Sequence, residues 1–282
     1  IEGFKKLYRN GVRVYIIGGN HDMPRSVEEG MSPLCEVGAT DYVVFFSSVE
    51  KFDYERISIG DTSLCIAGAS YNHRLSIDND PLEMMNVPLE GDINIAMLHY
   101  NLSSVRVPSE QFGVSVIKET SIPRDLDYLA LGHVHEFIEK NVGRTKVVYP
   151  SSPERWRFFE KDKRKGFVIA DIECNGDPEK RKINISFVEN KDARPMNEIK
   201  IKLSVDDKDP TRKILERIRI ENPQKNAILR LIVYGEVSEE ILIKYRRADI
   251  LRGLQEFFHV EVIDAGLIEK TIRSCLLYTS DA

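Results

Sequence analysis

The chain is predicted to be an α/β protein built in two parts, and three observations carry that expectation. Short apolar, β-branched runs alternate with helical and turn-like stretches through residues 1–190. A linker-like stretch, Lys191 to Pro195, then interrupts the pattern. A shorter β-α-β-α-β pattern follows within residues 191–274, long enough for a small domain of its own.

The elements follow in order. Gly3 to Leu7 has the character of a helix interior, and Val12 to Ile17 is a buried strand stopped by Gly18-Gly19. Tyr42 to Phe46 is a short strand. Tyr54 to Ile59 and Thr62 to Ala67 flank Gly60-Asp61 and predict a hairpin. Ile93 to Leu98, Tyr128 to Leu131, Lys146 to Tyr149 and Gly166 to Ile172 complete the strands of the first part. In the second part, Ile199 to Leu203, Ala227 to Tyr234 and Val260 to Ile263 are expected strands. One helix spans Pro210 to Ile220, with Asp209 as its N-cap and Pro210 at its first position. Another starts at Ser238 and is expected to run through Tyr245 toward Phe258.

Composition narrows the classes. The 282 residues carry 42% hydrophobic and 30% charged side chains, ordinary for a globular protein. The net charge is −5, so nucleic-acid binding must come from a local patch rather than a global basic balance. No apolar run reaches membrane-helix length. Cys35, Cys65, Cys174 and Cys275 are far apart and form no C-x-x-C, which suits a reducing cytoplasm and argues against a disulfide scaffold or a zinc-cysteine site. Cys275 to Ala282 has no turn logic and is expected to be a tail foreign to the natural chain.

Chemistry gathers at three strand ends. Gly19-Asn20-His21-Asp22 follows the strand that closes at Ile17, His99 follows Ile93 to Leu98, and Gly132-His133-Val134-His135 follows Tyr128 to Leu131. Open α/β sheets place their ligands in such loops. If the third segment is extended, His133 and His135 point the same way. Imidazole nitrogens and an amide oxygen suit Mn²⁺, Fe²⁺ or Zn²⁺. A lone histidine at a strand end is more often a hydrogen-bonded structural residue. Three such motifs, each after an apolar strand, leave that reading little room. His73 and His259 lack such a context and read as surface or structural residues.

These motifs resemble those of the calcineurin-like metallophosphoesterases, and within them the meiotic-recombination-eleven and SbcD DNA-repair nucleases. Tyr149 to Trp156 and Lys165-Gly166-Phe167 support the narrower match, although Ser151 stands where that family commonly has glycine. The resemblance implies a two-sheet α/β phosphoesterase sandwich flanked by helices, followed by a small α/β capping domain that covers DNA. It implies two Mn²⁺ ions, with Mg²⁺, Fe²⁺ or Zn²⁺ as substitutes. Asn20, His99 and His133 would bind one metal and His135 the other. His21 would serve as acid for the leaving oxygen, with Asp22 orienting its neighbours. It also implies exonuclease action on duplex ends, endonuclease action on single strands, a homodimer, and a coiled-coil ATPase partner of the Rad-fifty or SbcC type.

The pattern departs from the family in one respect. No Asp-x-His occurs in the chain, and Gly60-Asp61 lies downstream, inside a hairpin turn. The bridging carboxylate is therefore expected before Ile1, and the chain as given is expected to be inactive. The segment Arg144 to Lys165 holds eight basic residues against three acidic ones, with aromatics interleaved. Arg155, Arg157, Lys163 and Arg164 are candidate DNA contacts; a solvated face with internal salt bridges is the competing reading. Two rival functions stay open: another phosphatase or phosphodiesterase of the superfamily, and a DNA-binding scaffold with a degenerate site.

Overall fold

The computed structural model describes residues 1–106, 114–174, 177–264 and 266–269. Residues 275–282, the expected foreign tail, lie outside them. The chain divides into two compact units. The first is Ile1–Pro153 with Arg164–Lys191; the second is Glu154–Lys163 with the chain from Asp192 onward.

The first unit is built on a mixed six-stranded sheet. In spatial order its strands are Asp53–Ile59, Thr62–Gly68, Ile93–Leu98, Tyr128–Leu131, Thr145–Pro150 and Phe137–Val142. The four central strands run parallel and the two edges antiparallel. Parallel strands packed on both faces read as continuous apolar runs. Accordingly Ala67, Ala96, Leu98, Leu129, Leu131, Val147 and Tyr149 are all essentially inaccessible to solvent and form one core. Gly60, at φ +59°, makes the expected hairpin turn with Asp61. Phe137–Val142 escaped the sequence reading because three polar residues, Glu139, Lys140 and Asn141, interrupt its apolar ends. A separate antiparallel hairpin pairs Gly166–Ile172 with Ile183–Glu189.

The strand Tyr15–Ile17 lies apart from that sheet, parallel to Val44–Phe46. It is shorter than the run Val12 to Ile17 suggests. One serine ties the end of this pair to the central sheet. Ser70, completely buried just past Thr62–Gly68, accepts the Gly18 N–H at 2.9 Å and donates to the Phe46 carbonyl at 2.7 Å. The next amide, Tyr71 N–H, donates to the Gly18 carbonyl at 2.8 Å. The loop that begins at Gly18 is thereby fixed at the same edge where the central parallel strands end.

The second unit is a four-stranded parallel sheet. Ile228–Val237 lies between Met196–Lys202 and His259–Ile263, and Leu267–Glu269 pairs with its far end. Asp209 caps the helix Pro210–Glu221 by accepting the Arg212 N–H, and left-handed Asn222 closes it. The expected long helix after Ser238 is instead two, Glu239–Lys244 and Arg247–Gly253. The hydroxyl of Thr211 enters the break, donating to the Lys244 carbonyl and accepting the Arg246 N–H, both at 3.1 Å. Residues 154–163 group with this unit, not with the first part as the sequence pattern suggested. The Arg155 guanidinium holds the carbonyls of Ala193 and Arg194, and Arg230 stacks over Phe158 at 3.7 Å.

Ser70→Ala tests the staple. It leaves a buried N–H and a buried carbonyl unpaired, so it should destabilise the first unit by about 1–3 kcal/mol. Urea unfolding of the variant, followed by a probe in the first unit, measures this; an unchanged midpoint contradicts it.

Candidate metal centre

Strand register builds the site. Leu98 pairs with Leu131 in neighbouring parallel strands, so the residues that follow, His99 and Gly132, emerge side by side. The Gly132 N–H donates to the Leu98 carbonyl at 2.9 Å and continues the ladder one step beyond the strand. The Gly19 loop arrives from the other side, held by the Ser70 staple.

His99 is at the centre. Its ring lies between two glycines whose roles the sequence did not disclose. A Cβ on Gly19 would stand 2.6 Å from His99 Cε1, and one on Gly132 would stand 2.4 Å from His99 Nδ1. Only hydrogen at both positions leaves room for the imidazole. Asn20 Oδ1 faces His99 Nε2 at 3.1 Å. The His133 ring meets that of His99 edge to face at 5.4 Å, and Tyr71 backs His99 at 6.4 Å.

The surroundings keep His99 neutral. Its ring retains an edge at the surface but is densely enclosed. Burial, then the charges of His133, His135 and His21, push its pKa from 6.5 down to about 3. A neutral imidazole presents the lone pair that a metal needs. Those three charges act on His99 from within electrostatic reach, and His133 is the one whose ring meets it.

The route by which His133 and His135 arrive differs from the sequence expectation. The segment is not extended: His133 sits at φ +83°, a left-handed conformation that costs a β-carbon residue about 1–3 kcal/mol. A tight turn, not strand alternation, aims the two rings. His21 is exposed. The Asp22 carboxylate accepts the Gly19 N–H at 2.8 Å, and the Asp22 and Met23 amides return to the Gly19 carbonyl, so Asp22 closes the loop that carries Asn20 and His21. His73 Nε2 donates to the Met23 carbonyl, 3.1 Å away, and its ring packs on Tyr71 at 4.8 Å.

Among the described residues, no three His, Cys, Asp or Glu side chains are drawn together closely enough to hold a metal ion. The donors that do meet, the His99 and His133 imidazoles and the Asn20 amide oxygen, are of the kind that takes a borderline divalent ion. A glycine-walled cradle around His99 leaves its Nε2 face open to Asn20. The site therefore fits a divalent ion in the character of its donors, and it lacks a carboxylate.

The candidate DNA contacts divide. Arg155 also donates to the carbonyls of Lys161 (3.0 Å) and Lys163 (3.3 Å), so with Ala193 and Arg194 its guanidinium serves four carbonyls within its own unit. A planar fork of five donors finds four acceptors there. Arg157 is exposed. Lys163 also lies in the second unit, whereas Arg164 lies in the first, its guanidinium 5.3 Å from the Phe187 ring. Among the described residues, Cys35, Cys65 and Cys174 are free thiols, and no helix is long and apolar enough to cross a membrane.

Comparison with known proteins agrees with this arrangement. Residues 1–137 match the calcineurin-like phosphoesterase family. The chain carries a calcineurin-like phosphoesterase domain. It is 28% identical over 216 residues to the DNA double-strand break repair protein Mre11 of Methanocaldococcus jannaschii, covering 72% of this chain and 52% of that protein. The protein of the same name from Thermoplasma acidophilum is 25% identical over 250 residues, covering 85% and 61%. That from Methanococcus maripaludis is 23% identical over 280 residues, covering 96% and 69%. The chain thus spans only part of the length of these relatives, about half of the first. The family matched over residues 1–137 is one of phosphoester hydrolases whose calcineurin-like domains use divalent ions.

Two outcomes test the site. Gly132→Ala drives its Cβ into His99, so it should weaken Mn²⁺ binding about tenfold or more in calorimetric titration; an unchanged affinity would mean that the ring position is immaterial. The second concerns protons. Unfolded, His99 is protonated near 6.5; folded, not until about 3. Between those values the unfolded chain holds the extra proton, so folding stability falls as pH drops, by up to about 1.4 kcal/mol per pH unit. In metal-free protein the slope of stability between pH 6.5 and 5 should be shallower for His99→Gln than for the unaltered chain; equal slopes contradict the buried neutral imidazole.

Proposed function

We propose that the chain is the catalytic part of a manganese-dependent DNA nuclease that hydrolyses phosphodiester bonds at double-strand breaks. The observation that carries this reading is the meeting of His99 with the Asn20 amide and the His133 ring in one glycine-walled cradle, with exposed His21 on the same loop as Asn20. The likeness to three proteins named for DNA double-strand break repair supports the choice of DNA over other phosphoesters. Exonuclease action on duplex ends, endonuclease action on single strands, a homodimer and a coiled-coil ATPase partner belong to the same proposal.

The residues divide the work. Asn20, His99 and His133 would hold one ion and His135 a second. Bound divalent ions supply an activated water and charge stabilisation for the attacked phosphate. His99 is kept neutral and His133 is held in its turn, so the donors are set before any ligand arrives. Exposed His21 can reach the substrate and hand a proton to the oxygen that leaves, a role suited to an imidazole near neutral pH. Asp22 keeps that loop closed through the Gly19 amide. Arg157, Lys163 and Arg164 would contribute phosphate contacts, while Arg155 serves the fold of its own unit.

The ligand arithmetic sets the activity expected. The bridging carboxylate has no counterpart in this chain, so residues 1–274 alone should bind at most one Mn²⁺ and degrade no linear DNA above background. The chain supplied with an Asp-x-His and a Gly-Asp segment ahead of Ile1 should degrade DNA in Mn²⁺. In that longer chain His21→Ala should abolish turnover with metal binding retained, whereas His133→Ala should lose metal affinity. Nuclease assays paired with Mn²⁺ titration decide this. Robust cleavage by residues 1–274 would overturn the ligand map, and an inactive extended chain would overturn the nuclease reading. Replacing Arg157, Lys163 and Arg164 together should flatten the dependence of DNA affinity on salt, because fewer counterions are released; an unchanged slope would return these residues to a solvated face.

A further inference from the structure

Lys165 has an unusual position for a lysine. It is only 1% exposed, at the start of the hairpin strand Gly166–Ile172. Lysine is almost never fully buried without dedicated partners. Two of its partners lie at the site. Its Nζ donates to the His135 backbone carbonyl at 3.0 Å and to Ser152 Oγ at 3.0 Å. Ser151 approaches the same carbonyl: its Oγ lies 3.1 Å from the His135 oxygen and 3.2 Å from that of Arg164.

The register explains how these residues meet. Pro150 pairs with Phe137 across antiparallel strands, so Ser151 emerges beside the residues that precede Phe137. Ser151 itself is left-handed, at φ +75°. This is the position where the resembling nucleases commonly place glycine, and the conformation is the one glycine favours. The serine retains it and adds a hydroxyl at the His135 carbonyl. The chain then returns to the same place. Gly166 N–H donates to the Ser152 carbonyl at 3.0 Å, and a Cβ on Gly166 would stand 2.1 Å from the Val188 carbonyl. With Ser151 on the Arg164 carbonyl, Lys165 is anchored on both sides of its Cα.

The turn that receives these bonds is strained. His133 at φ +83° keeps its conformation only where the surroundings over-determine it. Gly132 is held at the front by the Leu98 carbonyl, and His135 is held at the back by Lys165 and Ser151. We propose that Lys165, together with Ser151, is a positioning residue of the metal centre, clasping the His133–His135 turn through the His135 carbonyl. The assignment rests on the metal-dependent reading above and adds residues that contact no substrate. Groups that orient metal ligands in this way alter metal affinity about 10–100-fold when removed.

Two variants test it in the full chain, Lys165→Met and Ser151→Ala. The first readout needs no metal: NMR relaxation dispersion at the amides of residues 133–136 in EDTA. Both variants should show microsecond-to-millisecond exchange there that the unaltered chain lacks, with Thr62–Gly68 silent as the control for intact folding. The second readout is Mn²⁺ affinity by calorimetry, which should fall about tenfold or more. If Lys165→Met does not fold, Ser151→Ala decides, since it removes only a hydroxyl. Quiet amides at 133–136 with unaltered Mn²⁺ affinity would overturn the clasp. An unaltered chain that binds no Mn²⁺ would instead overturn the metal reading, while the amide measurement still judges the clasp.

Discussion

Everything at the candidate site depends on one strand pairing, Leu98 against Leu131. Because these strands are parallel and in that register, their next residues leave the sheet at the same level. His99 and Gly132 become neighbours, and the Gly132 amide completes the ladder on the Leu98 carbonyl. A slip of one residue would turn every side chain of the strand to the opposite face and separate the two motifs. The buried leucines that specify the register are thus part of the chemistry, although none of them touches a ligand.

Around that pairing the fold uses small groups to place large ones. Gly19 and Gly132 wall the His99 ring by having no side chain. The Ser70 hydroxyl joins the separate two-stranded pair to the central sheet. Lys165 and Ser151 grip a backbone carbonyl, not a side chain. Together these contacts convert three loops into one arrangement of donors, in which His99 stays neutral over the whole physiological pH range. The strain recorded at His133 is local, and the hydrogen bonds on either side of it are those that can sustain it.

Much of the fold was legible from the sequence, for identifiable reasons. Ile93–Leu98, Tyr128–Leu131 and Gly166–Ile172 match the expected runs end for end, because apolar strands stopped by polar or glycine residues announce themselves. The edge strand Phe137–Val142 did not, since Glu139, Lys140 and Asn141 break its apolar run. The split between Glu239–Lys244 and Arg247–Gly253 was invisible because its cause, the Thr211 hydroxyl, is distant in sequence. At the site, the histidines and Asn20 were visible as residue types after strands. Their supports were not. Ser70 and Tyr71 belong to no motif, and the service of Arg155 to four carbonyls appears only when the chain is folded. Lys165 carried one signal, its place in the Lys-Gly-Phe triplet, but nothing in that triplet pointed to His135.

The central claim is that Asn20, His99 and His133 face one divalent ion. Anomalous diffraction from crystals grown in Mn²⁺ tests it most directly. The account predicts a manganese peak within bonding distance of Asn20 Oδ1 and of imidazole nitrogens of His99 and His133. A peak at another set of residues, or none at this cluster under saturating Mn²⁺, would contradict it.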